Sequence, residues 1–201
     1  ALTEYEGVRR RASSRARRLS LKLDTAAGVV ELVVPDGAPE AEVSRFVDSH
    51  RRWIARQLAG LPPHIPFADG AEIAVLDEVL RLCHSSGGRA AARREGDALV
   101  IGGDMARFAP RVRAWLRESA RAAFSEHAHG HAAQIGQSVT AIRIGDPRTR
   151  WGSCSRHGRL AFSWRLVLAP RSVLDYVAAH EVAHLAVMNH SRRFWHLVDD
   201  L

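Results

Sequence analysis

The stretch His180-Glu181-Val182-Ala183-His184, near the C-terminus, decides how the rest of the chain is interpreted. Residues four apart on an α-helix share one face, so this spacing predicts two imidazoles side by side with Glu181 next to them. Two neutral imidazoles and one further ligand can hold a zinc ion whose fourth position is open to water, and a nearby carboxylate can accept the proton of that water. The stretch therefore predicts a metal site with His180 and His184 as ligands and Glu181 as general base.

The surrounding sequence indicates that this stretch is helical. Ser172-Val173-Leu174-Asp175 has the Ser-x-x-acid pattern of a helix N-cap and first turn. Apolar and histidine side chains then recur at helical spacing as far as Met188. Asn189 tolerates the left-handed conformation that ends many helices, so we expect a chain reversal there. H-E-x-x-H on such a helix is the signature of zinc metallopeptidases.

A third ligand is expected just after the helix. His190 follows His184 by six positions, the third-ligand spacing of the metzincin pattern, although Val187 stands where that pattern has glycine. No glutamate follows Glu181 in this sequence, which excludes the arrangement with a glutamate ligand from a later helix. His190 is the predicted third ligand, and three residues remain as substitutes: His196, Asp199 and Asp200.

The composition is that of a folded protein without a membrane segment. A chain of 201 residues with 46% hydrophobic residues can form one compact domain or two small ones. It has no run of eighteen apolar residues and no apolar stretch after its basic N-terminus, so neither a membrane span nor a signal peptide is expected. Cys83 and Cys154 lack C-x-x-C spacing, which fits a reducing compartment and predicts a cytoplasmic protein.

Basic residues are concentrated in the N-terminal segment. The formal charge is +7, and arginines stand at positions 9–11, 15, 17 and 18. Lys22 is the only lysine, so the arginines reflect a bias of the whole chain as much as a choice at particular contacts. Non-specific binding of nucleic acid through this Arg-rich surface stays open as a partner interaction.

The elements before the motif are predicted in two groups. Residues 19–34 have the alternation of a hairpin with a turn at Ala26-Ala27-Gly28, residues 40–59 have a helical pattern, and four short strands follow between 71 and 101. Gly102-Gly103-Asp104 is the expected boundary. We thus expect residues 1–103 to form a strand-rich N-terminal region with one helix and residues 104–201 to form a metallopeptidase core.

The second group of elements gives the fold class. A long helix is predicted from residue 108 to about 135, then a strand at 139–144, two strands around a turn between 148 and 166, and the motif helix. Long helix, small antiparallel or mixed sheet and active-site helix form a minimal zincin-like α+β core, in which an edge strand can align an extended substrate.

The long helix also carries His127, His129 and His131. A period of two does not converge on a helix, and only His127 and His131 share a face. Histidines near a helix C-terminus are also favoured by the helix dipole. We therefore do not expect these three residues to bind a functional metal.

Several stretches together resemble the YgjP-like family of predicted metal-dependent hydrolases, which are related to the SprT-like zincin metallopeptidases. They are Arg150-Trp151-Gly152-Ser153-Cys154-Ser155, Trp164-Arg165-Leu166, Asp175-Tyr176-Val177 and residues 180–195. Ser163 departs from the family, which usually has asparagine there. The resemblance implies a zincin fold, His180, His184 and His190 as ligands, and Glu181 as general base. It supplies no substrate, although SprT-like relatives act on proteins attached to DNA.

The expected chemistry is hydrolysis of a peptide or protein substrate with one zinc ion per chain. Arg150, Tyr176 and His196 are candidates to stabilise the oxyanion of the transition state or to contact substrate. Two alternatives stay open at the level of sequence. One is a zinc-stabilised, nucleic-acid-associated binding module without hydrolytic activity, and the other is a metal hydrolase acting on non-peptide amides or esters.

Overall fold

The computed structural model describes residues 7–24, 28–59, 66–87, 91–147 and 149–201. In these ranges it contains five α-helices and three small β-sheets, which confirms the predicted α+β class. The chain divides into two compact units, Ala1–His64 and Ile65–Leu201. No helix in the described ranges is long and apolar enough to span a membrane.

The predicted boundary after residue 103 does not coincide with this division. The strands between residues 72 and 102 belong to the second unit, because apolar side chains such as Ile73, Leu80 and Leu99 share one core with the long helix that follows them. The assignment of residues 104–201 as the catalytic core stays a prediction.

The first unit is a three-stranded sheet with two helices. Its elements are β1 (Val8–Ser13), β2 (Ser20–Asp24), β3 (Val29–Pro35), α1 (Glu40–Ser49) and α2 (Arg51–Ala59). The central strand β3 pairs antiparallel with β2, which confirms the predicted hairpin, and parallel with β1. Ala26 and Ala27 of the predicted turn lie outside the described residues.

The single helix predicted over residues 40–59 is wrong, because the structure has two helices that break at His50. The backbone of His50 is non-helical, with φ −104° and ψ 5°. Ser49 Oγ donates to the Phe46 carbonyl at 2.8 Å, and His50 Nδ1 lies 2.8 Å from the same oxygen. These side chains compete for the carbonyl that the next helical turn would use, and the His50 amide bonds Val47 instead.

The second unit begins with a four-stranded sheet. Its strands are β4 (Glu72–Val75), β5 (Glu78–Ser85), β6 (Ala92–Glu95) and β7 (Ala98–Gly102), in the order β4-β5-β7-β6. In β4 and β5 buried and solvent-facing residues alternate, so one face of the sheet is apolar. That face packs in a single core with the long helix that follows it and with the motif helix.

The long helix α3 (Phe108–Gln134) supports a three-stranded sheet. The strands are β8 (Ala141–Gly145), β9 (Gly152–Cys154) and β10 (Arg159–Ser163). β10 is central, with β8 parallel on one side and β9 antiparallel on the other. Phe124 of α3 stacks on Phe162 of β10 with ring centroids 4.0 Å apart, which ties the sheet to the helix.

The strand predicted to continue to Leu166 ends at Ser163. Residues Trp164–Leu168 form a 3-10 helix, and the Ser163 side chain accepts from the Arg165 amide at its start. A serine that caps the following turn favours helical geometry over further strand pairing. This short helix leads to α4 (Arg171–Ala186), which is followed by α5 (Arg192–Asp199).

Both predicted ends of the motif helix were wrong in detail. α4 begins at Arg171, with Pro170 rather than Ser172 as its N-cap. The Arg171 amide donates to the carboxylate of Asp77, in the β4–β5 turn, at 3.2 and 3.3 Å. Asn189 is not left-handed, since only Leu76 and Asp77 among the described non-glycine residues have positive φ. The chain leaves the helix in an extended conformation at Val187.

Candidate metal centre

Three histidines of the second unit converge at the end of α4. His180 and His184 lie one turn apart with ring centroids 5.1 Å apart, and His190 arrives from the segment between α4 and α5. One ring nitrogen from each lies within 4.8 Å of the others, and the Nε2 atoms of His180 and His190 are 3.2 Å apart. Zinc–nitrogen bonds of about 2.0–2.1 Å at tetrahedral angles place ligand nitrogens about 3.3 Å apart, so this spacing fits a metal shell.

The outward-facing nitrogen of His184 has a backbone partner. His184 Nδ1 lies 3.1 Å from the carbonyl oxygen of Val187, just past the helix end. Donation to this carbonyl places the ring proton on Nδ1 and leaves the Nε2 lone pair directed into the histidine cluster. Metal-binding histidines commonly have such a second partner, which fixes the tautomer and the ring orientation.

Two aromatic residues of α5 surround the imidazoles. Phe194 is fully buried, and its ring centroid lies 4.9, 4.5 and 4.8 Å from those of His180, His184 and His190. Trp195 lies 5.8 Å from His180 and 5.7 Å from His190, but it is 43% exposed. The site therefore has a closed apolar side made by Phe194 and a solvent-accessible rim that includes Trp195.

The electrostatic surroundings favour the neutral form of two of the imidazoles. Burial lowers the pKa of His180, and the neighbouring His184 and His190 lower it further. Burial also lowers the pKa of His184, with a smaller contribution from His190, although the hydrogen bond to Val187 acts in the opposite direction. A neutral imidazole is the form that binds a metal, so this environment favours coordination.

Glu181 is buried against the edge strand β9. A Cβ atom added to Gly152 would lie 2.5 Å from Glu181 Oε1 and 2.6 Å from its Cγ, so only glycine leaves room for this side chain. Burial raises the pKa of Glu181 to about 7, although the positive charge of Arg150 acts in the opposite direction. A bound cation would lower this pKa again. A glycine in a strand marks a place where another group approaches the backbone closely, but the sequence alone does not identify that group.

Cys154, also on β9, has a protonated thiol. Burial raises its pKa to about 11, and the negative charge of Glu181 contributes in the same direction. Since the thiolate is the form that attacks carbon or binds metal, Cys154 is unsuited to either role here.

The other predicted site residues differ in how close they come to the histidines. Tyr176 lies one turn before His180 with a centroid distance of 6.2 Å and is 52% exposed. Arg150 is exposed and acts on Glu181 through its charge. His196 is exposed on α5. Across the described ranges, the histidine cluster includes none of the three substitute ligands, His196, Asp199 and Asp200.

The class that the sequence family defines is that of the metallopeptidases, which are metal-dependent hydrolases of peptide bonds. The chain belongs to the YgjP-like family, whose metallopeptidase domain matches residues 17–201. A solved structure, the metallopeptidase zymogen of Pyrococcus abyssi abylysin, matches with 20% identity and a TM-score of 0.36, over 39% of this chain and 78% of that chain. No curated protein matches.

Proposed function

We propose that this protein is a zinc peptidase in which His180, His184 and His190 bind one zinc ion per chain and Glu181 is the general base. The observation that carries the proposal is the convergence of three imidazole nitrogens, two from α4 and one from the segment after it, at the helix that also presents the buried Glu181 carboxylate. All four residues lie within the predicted core, residues 104–201.

Zinc bound to these imidazoles would polarise the scissile carbonyl and make water more acidic. Glu181 accepts a proton from the attacking water and returns it to the amine that leaves when the carbon–nitrogen bond breaks. A buried carboxylate beside a metal is suited to both steps, because burial favours its protonated form and the bound cation favours its ionised form. Arg150, whose charge acts on Glu181, is placed to favour its ionised form before the reaction.

The edge strand β9 supports an extended peptide as substrate. β9 is paired only with β10 in its sheet, and its first residue, Gly152, packs against Glu181. A peptide that added to the open edge of β9 by backbone hydrogen bonds would pass beside the general base. This mode of binding reads the peptide backbone, so it favours peptide substrates over small esters.

The test compares wild type with Glu181→Gln in a screen of cleavage products from a denatured proteome. We expect both proteins to carry about one zinc per chain, and the variant to lose activity by about 10²–10⁴-fold. Glu118→Gln, on the exposed face of α3, is the matched control and should keep full activity. Folded wild-type protein that binds no zinc after repletion, or an active Glu181→Gln, would contradict the proposal.

The alternative of a nucleic-acid-binding module receives less support from the N-terminal arginines. Arg10 makes two hydrogen bonds of 2.7 Å to the carboxylate of Glu40, and Arg11 lies 3.1 Å from Glu31. Arginines held by carboxylates are poorer phosphate contacts. This alternative predicts DNA affinity that falls steeply with salt and is unchanged by Glu181→Gln.

A further inference from the structure

A second group of titratable side chains joins α3 to the motif helix. Asp175 Oδ1, on α4, lies 2.6 Å from His127 Nδ1 and 2.7 Å from His131 Nε2, both on α3. His131 is 7% exposed. His129, between them in sequence, is exposed and bonds the Ser125 carbonyl of its own helix instead. One carboxylate oxygen thus accepts a hydrogen bond from each of two imidazoles on the neighbouring helix.

The distances are those of hydrogen bonds, although the three side chains also lie close enough together to share a cation. Ligand atoms that share an ion with bonds of about 2.0–2.2 Å lie about 3 Å or more apart, whereas these nitrogen–oxygen distances are 2.6 and 2.7 Å. His127 Nε2 and His131 Nδ1 are buried and have no partner among the described residues. A neutral imidazole that donates from one nitrogen has no proton on the other, so in that form the buried nitrogens need no acceptor. A metal would instead require these buried nitrogens to carry protons.

We propose that Asp175 is a positioning residue for the active site, which fixes the rotation of α4 about its axis through His127 and His131. This inference rests on the proposed function. Asp175 precedes His180 by five residues and Glu181 by six on one rigid helix. Any rotation at Asp175 is therefore transmitted to the metal ligands and to the general base.

The apolar part of the interface gives little control over this rotation. Apart from Glu181, the buried α4 residues are apolar and mostly small: Leu174, Ala178, Ala179, Val182 and Ala183. Apolar burial is non-directional, so such a surface tolerates small rotations at little cost in free energy. Hydrogen bonds to a carboxylate are directional, so Asp175 supplies the orientation that the small apolar side chains leave undefined.

The site has little tolerance for rotation. A turn of α4 by about 20° moves an atom about 5 Å from the helix axis by about 2 Å. Glu181 already touches Gly152 so closely that a methyl group there would overlap it, and a 2 Å shift would either collide with β9 or leave it. Misplacement of a reacting group by about 1 Å can lower a rate by about 100-fold.

The test uses two variants of the full chain. His131→Leu removes the hydrogen-bond donor to Asp175, and His131→Gln puts an amide donor in its place. We expect His131→Leu and Asp175→Asn to lower kcat by about 10- to 100-fold, with KM changed less than about threefold and zinc content unchanged. His131→Gln should recover most of kcat. His129→Gln, in the same tract but outside the triad, should match wild type. The substrate is a peptide that wild type cleaves and Glu181→Gln does not.

A second readout needs neither metal nor activity. In the zinc-free protein, the ring resonances of His180 and His184 should shift in Asp175→Asn and stay unchanged in His129→Gln, as measured by NMR. Unshifted resonances, or a variant that loses thermal stability while kcat is retained, would overturn the inference. So would a second equivalent of zinc that binds wild type and not His131→Leu. A wild type that binds no zinc and cleaves nothing contradicts the proposed function, and the resonances then still decide the role of Asp175.

Discussion

At the scale of single residues, Gly152 lies in close contact with Glu181. The side chain of Glu181 occupies the space that a side chain at position 152 would need. This contact also explains why the Glu181 carboxylate is shielded from water, because the backbone of β9 covers one side of the carboxylate. The placement of the proposed general base therefore depends on glycine at position 152.

We expect Gly152→Ala to lower kcat at least about tenfold, because the new methyl group must displace Glu181. Overpacking of this kind costs about 1–3 kcal/mol in the free energy of unfolding. Gly130→Ala is the control: Gly130 lies on the exposed face of α3 with no atom within 4 Å of an added Cβ, so that change should stabilise by about 0.5–1 kcal/mol. Activity assays and thermal unfolding measure both effects, and an unimpaired Gly152→Ala enzyme would contradict the contact.

Asp175 predicts a dependence of stability on acid pH. Burial alone would raise its pKa, but the hydrogen bonds from His131 and His127, together with the positive charges of these rings when they are protonated, outweigh burial and lower it below 3.8. A lowered native pKa means that this stabilisation is fully present above pH 3.8 and is lost as pH falls through the native pKa. Because Asp175 is partly exposed, the contribution is less than about 1 kcal/mol.

Chemical denaturation between pH 2 and pH 6 checks this sign. The stability difference between wild type and Asp175→Asn should shrink as the pH falls below 3.8. A difference that stays constant through this range would mean that the Asp175 carboxylate has no favoured ionised form in the folded protein.

At the scale of elements, the start of α4 is fixed by a distant turn. Asp77 adopts positive φ in the turn between β4 and β5, and its carboxylate accepts from the first amide of the motif helix. A negative charge at a helix N-terminus is favourable because it meets the positive end of the helix dipole. The hairpin thus supplies the cap that Pro170 cannot.

Asp77→Asn should lower stability by about 0.3–1 kcal/mol, since asparagine tolerates the turn conformation but lacks the charge. Asp97→Asn, in the exposed turn between β6 and β7, is the matched control and should have little effect. Urea unfolding of both variants gives the comparison. Equal stability of the two would argue against a role of Asp77 in capping α4.

The sequence predicts those features of the site that depend on local spacing. His180 and His184 share a face because any helix puts residues four apart together. The sequence could not reveal the contacts of Gly152 with Glu181 or of His131 with Asp175, because each joins elements that only the tertiary fold brings together. Similarly, the break at His50 and the end of β10 at Ser163 depend on side-chain hydrogen bonds that periodicity does not record.

At the scale of the whole molecule, each compact unit has its own apolar core. The core of the first unit is built on β3, with buried residues such as Val30 and Leu32, and the large core of the second is built on α3. The histidine cluster belongs to the second unit alone. Metal binding therefore stabilises one unit directly.

Removing zinc with a chelator should make the amides of α4 and α5 exchange hydrogen faster. If zinc is present at about 100 times its Kd, its loss removes about 2.7 kcal/mol of stabilisation. Amides that exchange only through unfolding of this unit should then exchange about 100-fold faster. The amides of β1 to β3 should not change. Hydrogen exchange followed by mass spectrometry separates these segments, and an equal acceleration in both units would contradict a site confined to the second.

Phe194 has a consequence for how the metal binds. Its ring packs on all three imidazoles, so folding itself restricts the rotamers of His180, His184 and His190. Side chains that are already ordered lose little conformational entropy on coordination, and that saving appears as higher affinity. In the proposed site, a phenylalanine that donates no electron pair to the metal would therefore set part of the affinity for it.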